Sequence, residues 1–169
     1  MTIPTRKPIR LAGYDYSWNG LYFVTICCKD RVCYFGNIIS QTMFLNELGK
    51  IAEDCWNEIP KHFPCVLLHA YIIMPNHVHG IIEIQKDKQV EDLFCTKREF
   101  GKPQKATLST IVSQYKSAVS KTLYRNNLSF SWQARFHDHI IRTEKSYNVI
   151  SEYIKSNPSK WHEDRFFIP

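Results

Sequence analysis

No apolar run in this 169-residue chain approaches the roughly 18 residues that a membrane-crossing helix needs, so no such helix is expected. Residues Met1 to Arg10 carry charge with no apolar core behind them, which does not read as a secretory leader. No CxxC pair exists: Cys27, Cys28, Cys33, Cys55, Cys65 and Cys95 are scattered. An extracellular disulfide framework of that size usually sits in a shorter, secreted chain, so the simplest reading is reduced thiols in a cytoplasm. A zinc site of Cys27, Cys28 and Cys33 with a histidine is disfavoured, because the spacing matches no common zinc knuckle. No internal repeat stands out. Acid is nearly missing from one stretch: between Lys97 and Arg125, seven basic residues meet Glu99 alone. That stretch carries +6, the net charge of the whole chain.

What is present is an ordered, globular composition, 44% hydrophobic and 14% aromatic, expected to form one domain over 1–169. Gly20 to Cys28 is rich in β-branched and aromatic residues and predicts a strand. Phe44, Leu48, Ile51, Ala52, Cys55, Trp56 and Ile59 recur at helical steps until Pro60. Cys65 to Met74 and His77 to Ile84 predict two strands joined at Pro75-Asn76 as an antiparallel hairpin. Residues 85–107 read as a long basic surface loop. A helix follows over Leu108–Arg125, a fourth strand falls within Phe130–Arg142, and a last helix spans Thr143–Asn157. This order predicts an α+β, ferredoxin-like antiparallel sheet with helices on one face, plus an appended C-terminal helix.

His77 and His79 head an alternating run, so both imidazoles leave one face of the strand, about 7 Å apart at Cα. Such a pair is able to converge on one divalent ion. Alone, it fits equally well a hydrogen-bonded core histidine beside an exposed strand end. Glu83 shares the face but lies about 13 Å from His79, too far to close a site. Tyr115 sits on the apolar stripe of its helix, after the basic stretch. A metal near its hydroxyl would help it attack a phosphodiester. An aromatic on such a stripe is ordinarily core, and spacing alone does not select it among nine tyrosines. The basic stretch suits a polyanion such as nucleic acid, or is a solvated charged loop.

Met74-Pro75-Asn76-His77-Val78-His79-Gly80 resembles the histidine-hydrophobic-histidine (HUH) segment of the single-tyrosine, IS200-like transposases. More closely, the chain resembles the REP-associated tyrosine transposases. The likeness extends through Tyr22-Phe23-Val24-Thr25, Ile111-Val112 to Ser117, Trp132-Gln133, Asp138 to Arg142, Tyr153-Ile154, Asn157-Pro158 and Trp161. It implies a metal-dependent single-stranded DNA endonuclease and strand transferase working through a 5′-phosphotyrosine on hairpin, REP-like DNA. Tyr115 would be the nucleophile, and His77 and His79 would hold Mg²⁺ or Mn²⁺. Lys97, Arg98, Lys102, Lys105, Lys116, Lys121 and Arg125 would contact the DNA backbone, and Trp132 would stack on bases. Relatives often add an oxygen ligand one helical turn beyond the tyrosine. The positions one turn beyond Tyr115 are Ala118 and Val119, leaving Asn76, Asp138, His139 or water to complete the shell. A domesticated, inactive structured-DNA-binding module is the main alternative, and a zinc hydrolase using a cysteine is a third. The resemblance further implies a bacterial cytoplasmic protein, nucleoid-associated on DNA, either a homodimer or a monomer.

Overall fold

A computed structural model describes residues 14–86 and 106–168. The fold is α+β, a four-stranded antiparallel sheet with helices. Its strands are β1 (Gly20–Cys27), β4 (Val66–Met74), β5 (His77–Ile84) and β6 (His137–Ile141), in the order β4-β5-β1-β6. A separate hairpin, β2 (Gly36–Ile39) with β3 (Thr42–Leu45), leads into α1 (Glu47–Asn57) and the short α2 (Ile59–His62). Helix α3 spans Leu108–Arg125, α4 spans Glu144–Ser156, and a 3₁₀ turn over Pro158–Glu163 follows. Among the described residues, no helix is long and apolar enough to cross a membrane.

The two-residue period of the central strands divides the molecule into two packed faces. Val24, Ile26, Val78 and Ile82 point to one side and are buried with Trp56 of α1 and Ile111, Val112, Tyr115 and Val119 of α3. On the other side Phe23, Ile72 and Ile81 pack against Tyr147, Ile150 and Ile154 of α4. The helices expected on one face are thus α1 and α3, and the appended α4 covers the opposite one. Gly80 makes the first packing possible. A Cβ there would lie 2.2 Å from Cζ2 of Trp56, so only glycine lets α1 approach β5 this closely.

Local capping fixes where the helices begin. The Asn46 side chain accepts from Gly49 N at 2.9 Å, that of Thr107 from Thr110 N at 3.2 Å, and that of Thr143 from Ser146 N at 3.1 Å. Phe44, read from the sequence as the first residue of the helical stripe, belongs to β3 and is exposed. Pro60 does not end the helical segment but sits in the first turn of α2, where its missing N–H costs nothing. The Pro75-Asn76 link does join β4 and β5 in an antiparallel hairpin, with Met74 paired to His77. Its carbonyls are taken by neighbours: Phe35 N donates to Pro75 O and Cys28 N to Asn76 O. Most of the expected 85–107 loop lies outside the described residues.

Candidate active site

β5 is paired on both sides, Thr25 opposite His79 and Cys27 opposite His77, which holds its backbone rigidly. The two imidazoles leave the α4 side of the sheet with ring centroids 4.4 Å apart, both essentially buried. Asn76 determines what His77 presents. Its amide nitrogen donates to Arg31 O at 3.0 Å and to Phe166 O at 2.8 Å, so its Oδ1 must face His77. His77 Nδ1 therefore carries the proton and donates to that oxygen at 2.9 Å. Nε2 of His77 is left as a bare lone pair, buried without a protein partner. His79 is held in the same manner by Thr25, whose hydroxyl lies 2.9 Å from Nδ1.

Both rings are kept neutral. Burial, with the charge of Arg165 adding to it, lowers the His77 pKa to about 3. Burial, the neighbouring His77 and Arg165 together hold His79 well below the ordinary imidazole value. Neutral imidazoles are what a cation requires of its ligands.

The third group comes from the C-terminal segment. Ligand atoms of His77, His79 and Asp164 lie within 4.8 Å of one another, so the triad fits a divalent metal. Asp164 is fixed from several sides: Oδ1 accepts from Phe166 N at 2.7 Å, and Oδ2 accepts from Asn157 Nδ2 at 2.8 Å. Asn157 itself is 2% exposed, and its Oδ1 is a buried acceptor with no partner. Tyr153, one helical turn before Asn157 on α4, brings its hydroxyl to 3.2 Å from His79 Nε2 and 3.3 Å from Asp164 Oδ2. Burial and the Asp164 charge raise its pKa, so the phenol is protonated at rest.

Tyr115 is not part of this group. It faces the α1 side of the sheet, edge-on to the Trp56 ring that covers Gly80, and its hydroxyl donates to Ala52 O at 3.2 Å. The sheet stands between Tyr115 and the histidines, because Gly80 points opposite to His77 and His79. The juxtaposition expected from the resemblance is thus corrected. Full burial also pushes the Tyr115 phenol well above its ordinary pKa. A cleft of about 450 Å³ opens on this same face, lined in part by Cys55, Phe63 and Tyr115, and does not reach the metal triad.

The remaining expectations divide by location. Lys97, Arg98, Lys102 and Lys105 lie outside the described residues. Lys121 and Arg125 are exposed on α3. Lys116 donates to Gln133 O, and its carbonyl accepts from the indole of Trp132 at 3.1 Å. Trp132 is half-buried against Phe35, Phe130 and Tyr115. Asp138 pairs with Val24 and faces the α1 side, which removes it as a ligand. His139 pairs with Phe23 on the site's own face but is not in the triad. Glu83 is 2.7 Å from His69 and is not among the His77, His79 and Asp164 group, as its spacing required.

No family profile matches the chain. An uncharacterized protein of Haemophilus influenzae is 45% identical over 168 residues, covering 96% of this chain and 93% of that one. A second H. influenzae protein, which carries the name of a REP-associated tyrosine transposase, is 28% identical over 86% of this chain and 74% of its own length. The solved structure of a REP-associated tyrosine transposase bound to a REP hairpin shares the fold. Its TM-score is 0.57 at 21% identity, covering 90% of this chain and 72% of that one. The chain is thus similar in sequence to a protein named as a REP-associated tyrosine transposase and shares the fold of a solved one.

Proposed function

We propose that the protein cleaves and rejoins single-stranded DNA at a metal-assisted site in which Tyr153, not Tyr115, is the nucleophile. The observation that carries this reading is the Tyr153 hydroxyl at 3.2 Å from His79 Nε2, beside the partnerless Nε2 of His77. His77, His79 and Asp164 would hold Mg²⁺ or Mn²⁺, with Asn157 Oδ1 as a further oxygen, a donor set that adds the hard ligands Mg²⁺ prefers. Bound there, the ion supplies positive charge to the oxygens of the phosphate under attack.

The chain's own residues perform the rest. Tyr153 Oη forms a bond to phosphorus and the bond from phosphorus to O3′ breaks, leaving a 5′-phosphotyrosine and a free 3′-hydroxyl. Asp164 Oδ2, already within hydrogen-bond reach, takes the phenolic proton, and the departing 3′ oxygen takes up one, so the step is proton-neutral. A second 3′-hydroxyl reverses the attack and completes strand transfer without a high-energy cofactor. Hairpin DNA is the substrate this reading favours, since a solved relative is bound to a REP hairpin. The exposed Lys121 and Arg125, with the basic segment 97–105, would follow the phosphate backbone.

The test is a denaturing gel of labelled single-stranded hairpins drawn from repeats flanking the gene, incubated with Mg²⁺ or Mn²⁺. Wild type should give a covalent protein–DNA band that Tyr153→Phe abolishes and Tyr115→Phe retains, with hairpin binding kept in both. A band lost only in Tyr115→Phe would overturn the assignment.

A further inference from the structure

Two guanidiniums crowd one ring at the edge of the histidine pair. Arg165 Cζ lies 4.6 Å and Arg31 Cζ 5.7 Å from the centroid of Phe166, whose ring is 4.6 Å from that of His77. Arg31 Nη1 also donates to the Arg165 carbonyl at 2.9 Å. Both side chains are exposed, and among the described residues no carboxylate pairs with either. The adjacent Asp164 forms no ion pair with them, and its oxygens accept from Phe166 N, Asn157 Nδ2 and the Tyr153 hydroxyl.

The backbone that brings both guanidiniums to one ring is itself held in place. Arg31 sits in a turn where two successive non-glycine residues, Asp30 and Arg31, adopt left-handed φ values of 53° and 56°. Strained backbone of this kind persists only where its surroundings fix it. Here the fixing group is Asn76, whose amide nitrogen binds the Arg31 carbonyl and the Phe166 carbonyl while its oxygen orients His77. One buried side chain thus ties the two cations to the metal ligand.

We infer that Arg31 and Arg165, mounted on Phe166, are a clamp for the non-bridging oxygens of the phosphodiester presented to Tyr153. A guanidinium fork matches a phosphate in shape and charge, and two of them on one ring offer donors to more than one of its oxygens. The inference rests on the reading of the site given above, in that the clamped phosphate is the one cleaved.

The test uses the dinucleotide TpT as probe. In wild-type protein loaded with Mn²⁺, paramagnetic broadening of the TpT ³¹P resonance should report a phosphate held beside the ion. R31Q/R165Q should bind Mn²⁺ at least as tightly as wild type, since a repelling charge is gone, yet lose the broadening about tenfold, and R31K/R165K should keep part of it. Broadening that is equal in R31Q/R165Q, or missing in wild type despite bound Mn²⁺, overturns the clamp. If wild type binds no Mn²⁺, the metal reading fails by itself, and a metal-free ³¹P shift titration of TpT decides the clamp. Saturation lost in R31Q/R165Q then supports it, and saturation that is unchanged or never reached overturns it.

Discussion

The hydroxyl of Tyr153 and Nε2 of His79 are 3.2 Å apart although 74 residues separate them in sequence. The approach depends on α4 lying across the sheet at a fixed height, with Ile150 and Ile154 packed near Ile81 and Phe23. Phe23 also packs its ring 5.2 Å from that of His79, so the same side chain supports both the helix and the imidazole.

Tyr115→Phe should be a stability variant, not a chemical one. The hydroxyl makes one buried hydrogen bond, to Ala52 O, whose loss costs about 1 kcal/mol. A urea titration should show that shift while the rate of DNA cleavage is unchanged.

Gly80→Ala should be costly for a different reason. The added methyl would meet Cζ2 and Cη2 of Trp56 at 2.2 and 2.7 Å, both parts of a fully buried ring. Overpacking of this kind costs about 1–3 kcal/mol, and Trp56→Leu in the same chain should restore part of it. Paired unfolding curves of the single and double variants measure the recovery.

Asn76→Ala should weaken metal binding without touching a ligand. The His77 ring would lose the acceptor that fixes its Nδ1 proton, and the Arg31 and Phe166 carbonyls would lose their donor. Changes of this sort lower metal affinity about 10- to 100-fold. Calorimetric titration with Mn²⁺ reads the effect directly.

A pH dependence should come from the far end of α4. His69 bridges the strands to that helix, with Nε2 at 2.7 Å from Glu83 and Nδ1 at 3.1 Å from the Tyr147 hydroxyl. Burial alone would raise the Glu83 carboxyl, but hydrogen bonds from Gln85 and His69 outweigh it and hold the pKa below its ordinary value. Its contribution is therefore full above the unfolded carboxylate value of about 4.3 and is lost as pH falls through the lower folded value. Urea midpoints of wild type and Glu83→Gln should differ at pH 6 and converge in acid. A constant separation across that range would sink the idea.

Much of the sheet was legible because β1, β4 and β5 announce themselves by β-branched runs, and α3 by a clean stripe that is buried as expected. The β2–β3 hairpin was not. Its turn places Ser40 and Gln41 at φ values of 48° and 63°, where a sequence reader looks for Asn or Gly. The histidine pair was readable from its spacing on one strand. Tyr153, Asn157 and Asp164 were hidden because the first lies on a helix that looked merely appended, the second caps it and the third lies beyond it. A signal was nonetheless available: an amide one helical turn past the tyrosine, missing after Tyr115, is present as Asn157 after Tyr153.

β5 is also a ruler graduated in single residues. Its odd positions 77, 79 and 81 face α4 and its even positions 78, 80 and 82 face α1 and α3, and both of its neighbours read the same graduations. Removing one residue from it would turn the imidazoles toward Trp56 and aim apolar side chains at Tyr153. Such a deletion would lose folding and chemistry together, so no single-residue length variant of this strand should retain one without the other.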